Sequence, residues 1–349
     1  MKNDDNNPKV QFIDERLVIG DLQIAFHRTL RIPDDGKNYA LPPSLGHFPL
    51  KSIQDYRDRV PEKWRDHEGF FFPMYQREAM WLGFQNEKSW KPVALKIGIG
   101  KINAVSGEEW NDSLSEGEND YIVAPPQPWL DGINAGDGFI KQFVAMPLGM
   151  GYTVEGQVSG KEKFGGIQFV LVEPKEGKFS KPEYTARYGM GDNFGYQEEC
   201  DDDIMFEMDS EEAEPVMSGA EAGGAEMGLA AGGKMEQNIY PDPHGIDTWD
   251  PDNKTVVYIH IVNSMMYRDI TGEEPPPTPV SAKLYTQYGY PWFELYDEGM
   301  GDVDAPEILQ AVKSVKEMDQ EKGFTPQQDD TTVDVPKEQV IHYKHKDSI

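Results

Sequence analysis

Positive charge is scarce in this chain of 349 residues. Its 33 lysines and arginines stand against 62 aspartates and glutamates, which gives a formal net charge of -29. Nucleic-acid binding depends on clustered Lys and Arg side chains that displace counterions from phosphates. The two densest basic stretches, 51–65 and 337–346, are interrupted by acidic residues or histidines. We therefore expect no nucleic-acid partner.

Cysteine and long apolar runs are also scarce. The single cysteine, Cys200, excludes an intrachain disulfide and favours a reducing compartment. Its acidic neighbours disfavour a thiolate, so Cys200 is a poor candidate nucleophile. No stretch approaches the roughly 18 consecutive apolar residues of a membrane-spanning helix, and residues 1–9 lack the apolar core of a secretory signal. These absences predict a cytoplasmic protein without membrane insertion.

One segment, residues 188–233, differs in composition from the rest of the chain. It contains 13 acidic residues and no lysine or arginine, and its second half is rich in glycine and alanine. Like charges followed by small residues are typical of a solvated linker or insertion. We therefore predict a β-sandwich core over 1–187, a flexible linker over 188–233, completing strands and a helix over 234–323, and a polar tail over 324–349.

Period-two alternation of apolar residues is the main structural signal before the linker. It occurs at four places, which are 22–26, 93–99, 152–159 and 167–171. Proline-rich connectors separate these segments, and prolines at such density belong to corners or edges of sheets. The pattern predicts a mainly β fold of the β-sandwich or jelly-roll type, with a short helix at 52–60.

Beyond the linker, three more strands are predicted, at 255–262, 280–287 and 291–296. A C-terminal amphipathic helix is predicted over 304–323, because Asp304 and Glu307 have the spacing of a capping box. Three strands and one helix bury little surface alone, so we expect them to complete the sheets of the first part.

Signatures of catalysis are missing from the sequence. The seven histidines are scattered and none forms an H-E-x-x-H pair. Gly98-Ile-Gly100-Lys101 lacks the spacing of a phosphate-binding loop. The sequence shows no recognisable Cys–His or Ser–His–Asp set, so it offers no candidate nucleophile with its base.

Candidate binding residues centre on a proline corner, 125–128, that leads into Trp129 and Asp131. A tryptophan at a rigid corner serves either as an aromatic platform for carbohydrate or protein, or as a cap on the core. The low-ranked binding set is Trp129, Asp131, Trp249 and Trp292. For sugar hydrolysis, Asp131 and Glu155 are the default pair of carboxylates.

A second candidate site consists of closely spaced oxygen donors: Asp247, Asp250, Asp252 and Asn253. Hard oxygen ligands suit Ca²⁺, which is the one cofactor we consider. The order of an EF-hand is absent, and aspartate and asparagine are also ordinary turn residues, so turn formation is the alternative.

Several phrases of the chain resemble a widespread family of uncharacterised bacterial and fungal proteins. They include MYQREAMW at 74–81, PPQPWLDG at 125–132 and GLAAGGKM at 228–235. No activity or catalytic residue is implied by this resemblance. Some fungal relatives look as though a ubiquitin-like module replaces the acidic segment, which implies that this position tolerates insertion.

Together these features favour a non-catalytic protein that binds protein partners or assembles with itself as a homo-oligomer. The alternative is a carboxylate-based hydrolase or a carbohydrate-binding module, with Ca²⁺ as its candidate ion. Self-association has to overcome repulsion between acidic copies, so it should strengthen with salt.

Overall fold

A computed structural model describes residues 10–66, 69–117, 119–182, 224–295, 300–325 and 332–343. These residues form a mainly β fold, which confirms the predicted class. Twelve strands precede residue 150: β1 (Val10–Ile13), β2 (Arg16–Ile19), β3 (Leu22–Thr29), β4 (Lys51–Ser52), β5 (Gly69–Pro73), β6 (Ala79–Asn86), β7 (Val93–Ile99), β8 (Ile102–Asn103), β9 (Ile122–Ala124), β10 (Trp129–Leu130), β11 (Gly132–Gly136) and β12 (Phe139–Pro147). Five follow: β13 (Ile167–Pro174), β14 (Glu226–Glu236), β15 (Trp249–Val262), β16 (Trp292–Leu295) and β17 (Val340–Tyr343).

Fifteen of these strands belong to one sheet with the main order β1-β2-β3-β6-β12-β14-β15-β13-β7-β8. The two halves of this sheet face each other across a shared apolar core. The Phe26 ring of β3 lies 5.3 Å from that of Phe72 on β5 and 6.1 Å from that of Phe169 on β13, measured between centroids. The inward residues of β3 are fully buried, as the alternation predicts. The architecture is therefore sandwich-like.

Short helices are few. They are α1 (Val154–Ser159), α2 (Ser264–Thr271), α3 (Ala282–Gln287), α4 (Glu307–Gln310) and α5 (Val315–Glu321). None of the helices in the described part of the chain is long and apolar enough to cross a membrane.

Two predicted strands are helices instead. In the segment 152–159, the Thr153 side chain accepts a hydrogen bond from the Gly156 N–H and so caps α1. In the segment 280–287, Ser281 caps α3 in the same way through the Leu284 N–H. Local capping by a hydroxyl outweighs the predicted strand conformation at both places.

The predicted end of the linker is also wrong. Residues 226–233 belong to β14, which lies between β12 and β15 in the sheet. A Cβ atom on Gly232 would lie 2.6 Å from Val144 Cγ2, and one on Gly233 would lie 2.8 Å from the Pro33 carbonyl oxygen. Glycine is needed here for close packing rather than for flexibility. Residues 188–223, including Cys200, lie outside the described residues.

The remaining differences concern ends and breaks of elements. The predicted helix at 304–323 is two helices, α4 and α5, and its capping box is formed by Ser314 and Glu317. The predicted helix at 52–60 is only a 3₁₀ turn over Gln54–Tyr56. Within the predicted polar tail, β17 pairs in parallel with β16.

Candidate functional site

Three rings meet across neighbouring strands on the outer face of the sandwich, and two of them are stacked. His27 of β3 pairs with Trp81 of β6 on one side and with His47 through an isolated bridge on the other. The His27 and Trp81 rings are nearly parallel, at 6°, with centroids 3.6 Å apart. The centroids of His27 and His47 are 4.5 Å apart. Cross-strand pairing therefore brings the three rings together: His27 stacks on Trp81, and the His47 ring lies tilted by 53° against His27. We call these three rings the ring stack.

The predicted residues Trp129 and Asp131 lie next to this stack. Trp129 pairs with Gly83 of β6, and the fully buried Leu130 pairs with Leu82 of β6. Because side chains alternate along a strand, Trp129 and Asp131 lie on the same side of the chain, and extending the β10–β6 register by one residue brings Asp131 next to Trp81. The two predicted residues thus share one face with the ring stack.

Small residues in the middle of this face make room for the rings. A Cβ atom on Gly83 would lie 2.9 Å from His27 Nε2 and 3.2 Å from the Trp81 ring. Next to Gly83, Ala25 pairs with Arg16 of β2. We call the eight residues that contribute to this surface the His27–Asp131 face: Arg16, Ala25, His27, His47, Trp81, Gly83, Trp129 and Asp131.

His27 is a neutral member of this face at physiological pH. Burial lowers the pKa of its imidazole well below the ordinary value, and the nearby charges of His47 and Arg16 lower it further. Its Nδ1 atom lies 2.9 Å from the Ser44 hydroxyl oxygen, within hydrogen-bond distance. The Arg16 guanidinium donates a hydrogen bond to the side-chain oxygen of Gln85.

Asp131 is a buried carboxyl whose proton affinity is raised. Burial raises its pKa to about 7, and the neighbouring Trp129 indole N–H offsets part of that rise. The backbone around it is fixed: its N–H donates to Gln237 Oε1 at 2.9 Å, and its carbonyl oxygen accepts from the Phe143 N–H at 3.0 Å. The backbone is therefore held while the carboxyl titrates near neutral pH.

Four buried polar atoms of this face have no hydrogen-bond partner among the described residues. They are His47 Nε2, Trp81 Nε1, Trp129 Nε1 and Asp131 Oδ2. The Trp129 indole influences Asp131 without meeting it in regular hydrogen-bond geometry. Buried polar atoms are nearly always paired in native proteins, and each unpaired one costs about 1–3 kcal/mol. Their concentration on one face marks a surface with spare donors and acceptors.

The other two predicted binding tryptophans are not on a surface. Trp249 is 2 % exposed and donates its indole N–H to Asp242 Oδ2 at 2.9 Å. Trp292 is 0 % exposed and donates to Thr286 Oγ1 at 3.1 Å. Both complete the core with their polar atom paired, so the structure does not place either ring on a surface.

The predicted calcium ligands lie in the turn that leads into β15 and along its first residues. Asp250 accepts the backbone N–H of Asp252 at 3.1 Å, which is ordinary turn geometry, and Asp252 and Asn253 are exposed. Within the described ranges, no group of three or more His, Cys, Asp or Glu side chains could hold a metal ion.

Glu155, the second candidate carboxylate, also has a structural partner set. It is 3 % exposed, and its oxygens accept backbone N–H groups of Lys163, Phe164 and Gly165 at 2.9–3.2 Å. It anchors the loop after α1 and is not opposed to Asp131 across a cleft in any described contact.

A second surface feature is a groove of about 390 Å³. Its apolar wall includes Tyr39, Leu41, Phe293, Val333 and Val340, which come from three distant parts of the sequence. The backbone of Leu41 pairs with that of Phe293 at 2.7 and 2.9 Å. The groove is thus built by extended segments next to the small β16–β17 sheet.

Sequence patterns alone did not identify His27, His47, Trp81 or Arg16 as site residues. The signal was present for His27, because it occupies an outward position in the alternation of β3.

No family model matches the chain, and comparisons with curated proteins and with solved structures find no match either.

Proposed function

We propose that this chain is a non-catalytic binding protein whose ligand-binding surface is the His27–Asp131 face. The observation that carries this proposal is the gathering of four unpartnered, buried polar atoms beside two half-buried tryptophan rings. Binding sites combine aromatic surface with a few directed polar groups, and this face has both.

Binding is favoured over catalysis because the Ser44–His27 pair is poorly arranged for nucleophilic attack. The Ser44 hydroxyl also accepts the Gly46 N–H at 3.2 Å, so it closes a local turn. The Nε2 atom of His27 lies against Gly83. A catalytic triad needs a carboxylate to orient the histidine at the nitrogen that does not face serine, and glycine occupies that position.

Indole N–H resonances provide a direct test, since the chain has seven tryptophans. We expect small fragments of varied chemistry to shift the ¹H–¹⁵N signals of Trp81 and Trp129 and to leave those of Trp249 and Trp292 in place. Trp129→Phe should weaken the response, and Trp90→Phe, a half-buried tryptophan outside the face, should not. A fragment screen that moves none of these signals would contradict the proposal.

A protein partner in the groove is a second candidate function. The groove is lined by both apolar and polar residues, among them Glu236, Asp334 and Lys37, and Lys37 pairs with Asp334 at 3.2 Å. Because the chain carries a net charge of -29, a cationic extended segment suits it better than an acidic one or a second copy of this chain. Such an interaction role would belong to the reducing, cytoplasmic setting that the single cysteine favours.

Peptide titration tests this second candidate. A lysine-rich peptide with a central Leu-Val-Leu should bind more tightly than its glutamate-rich counterpart, and the preference should shrink as salt rises. Glu236→Lys combined with Asp334→Lys should weaken binding, whereas Glu62→Lys at an exposed site elsewhere should have little effect. Equal binding of both peptides would exclude charge-guided recognition.

A further inference from the structure

From the atoms that the His27–Asp131 face presents, we infer that its ligand is a saccharide, recognised through adjacent hydroxyls and the apolar face of its ring. This inference rests on the proposed function, which states only that the face binds a ligand. It adds the chemical class of that ligand.

Anionic ligands fit this face poorly. His27 is neutral at physiological pH because its pKa is lowered, so it supplies no positive charge. The Arg16 guanidinium is engaged by Gln85, and Asp131 becomes negative as pH rises above neutral. The chain as a whole repels anions through its net charge of -29.

Cationic ligands would be attracted by the charge but not by the local geometry. Recognition of a quaternary ammonium uses the negative faces of aromatic rings. One face of Trp81 is already covered by His27, with ring centroids 3.6 Å apart. The unpartnered indole N–H groups of Trp81 and Trp129 are positive ends of dipoles, and they need an acceptor rather than a cation.

Hydroxyl groups can supply the hydrogen-bond partners that the four unpaired atoms of this face lack. A hydroxyl accepts a hydrogen bond and donates one at the same time. It can accept from the Trp81 or Trp129 N–H and donate to Asp131 Oδ2 or, if that nitrogen is unprotonated, to His47 Nε2. The C–H face of a sugar ring can pack against the exposed part of an indole, as tryptophan combines an apolar body with a polar edge.

The backbone of the site is prepared for this role, although the polar atoms are shielded in the free protein. The Trp129 carbonyl oxygen accepts hydrogen bonds from Gln127 Nε2 at 3.0 Å and from Gln237 Nε2 at 3.2 Å. The main chain of Trp129 is therefore held independently of its side chain, and the inference requires the indole to turn about its side-chain torsions to admit a ligand. Holding the backbone rigid reduces the ordering cost of binding.

The experiment is an NMR titration of the full chain with five probes. The saccharides are methyl β-glucoside, methyl α-mannoside and N,N′-diacetylchitobiose, and the comparison ligands are tetramethylammonium and acetate. We expect at least one saccharide to shift the Trp81 and Trp129 indole signals saturably, and neither comparison ligand to do so. Trp129→Phe should weaken that binding at least tenfold, and Trp90→Phe should leave it unchanged.

The outcomes separate the two levels of the hypothesis. If tetramethylammonium or acetate shifts these signals and no saccharide does, the saccharide inference is wrong and the proposed binding face stands. If no probe shifts them, both the inference and the proposed function are overturned. Saturable saccharide binding that survives Trp129→Phe places the site elsewhere and also overturns both. A folded spectrum of each variant is the condition for comparison.

Discussion

Two buried polar clusters of this protein are built in opposite ways. In the first, the ammonium of Lys96, 1 % exposed, donates to Asp120 Oδ2 at 2.5 Å, the Ser113 carbonyl at 2.6 Å and Asn111 Oδ1 at 3.2 Å. Asp120 also accepts the backbone N–H and the hydroxyl of Ser115, each at 3.0 Å. Three donors meet three acceptors, so the cluster holds its loop and has nothing left to offer a ligand.

The His27–Asp131 face has comparable burial but leaves four polar atoms without partners. A buried polar network stabilises a fold only when it is fully satisfied. The Lys96 cluster therefore serves structure, and the face retains a stability cost that a ligand can offset. The comparison teaches that burial of charge or polarity does not by itself indicate function, and that the state of pairing has to be compared as well.

The largest expected effect is on the paired cluster. Lys96→Met should lower the free energy of unfolding by about 3–5 kcal/mol, because it leaves the Asp120 carboxylate buried without its cation. Urea denaturation followed by fluorescence measures this. Lys88→Met, which removes an exposed ion pair with Asp21, should cost no more than about 1 kcal/mol. Similar losses of unfolding free energy in the two variants would contradict the distinction between a buried and an exposed ion pair.

Replacing Asp131 should stabilise the protein near neutral pH, whereas replacing Lys96 should destabilise it. Its folded pKa of about 7 lies above the ordinary 3.8, so the folded state binds the proton more tightly than the unfolded state. Its contribution to stability is therefore fully present below about pH 4 and is lost as pH rises to 7. Asp131→Asn should raise the free energy of unfolding by about 2–4 kcal/mol at pH 8, and by little at pH 4. Thermal unfolding at both pH values checks the sign, and equal effects at both would contradict it.

The tryptophans of the core and of the His27–Asp131 face should differ in how much their indole N–H groups contribute to the free energy of unfolding. Trp249→Phe removes one of the two side-chain donors to Asp242 Oδ2, the other being the Tyr121 hydroxyl, and should cost about 1–3 kcal/mol beyond the lost ring volume. Trp129→Phe removes an N–H that makes no regular hydrogen bond and acts on Asp131 only by lowering its pKa, so this additional cost should be smaller than that of Trp249→Phe. Chemical denaturation of the two variants gives the comparison, and a greater loss for Trp129→Phe would reverse the assignment.

An effect of similar size concerns the space beneath the rings. Gly83→Ala should cost about 1–3 kcal/mol, because its methyl group would lie 2.9 Å from His27 Nε2. In a His27→Ala background the same change should cost measurably less, as the nearest ring atom is gone. A double-mutant cycle by denaturation tests the contact, and strict additivity would show that the two residues do not interact.

The sequence was most informative where local pattern and tertiary structure agree. Apolar alternation correctly located β3, β7 and β13, because one face of each strand packs on the core. It failed at α1 and α3, where a capping hydroxyl decides the local conformation. In β14, glycine and alanine looked like a flexible linker, since close packing and flexibility require the same small residues.

The candidate site was predictable only in part. Trp129 and Asp131 attract notice because an unusual proline corner leads into them. Their neighbours His27, His47 and Trp81 are brought to them by cross-strand register over long sequence distances, which composition and spacing do not reveal. The same limitation explains why Trp249 and Trp292 seemed available, because nothing local shows that Asp242 and Thr286 pair with them.

The central claim is that Asp131 lies in a buried, partner-poor surface that a ligand can complete. A ¹³C NMR titration of the Asp131 carboxyl tests it most directly, in the free protein and with a saccharide that shifts the Trp129 signal. We predict a midpoint near pH 7 in the free protein and a displaced midpoint in the complex. A midpoint near pH 4 that the saccharide leaves unchanged would contradict the claim.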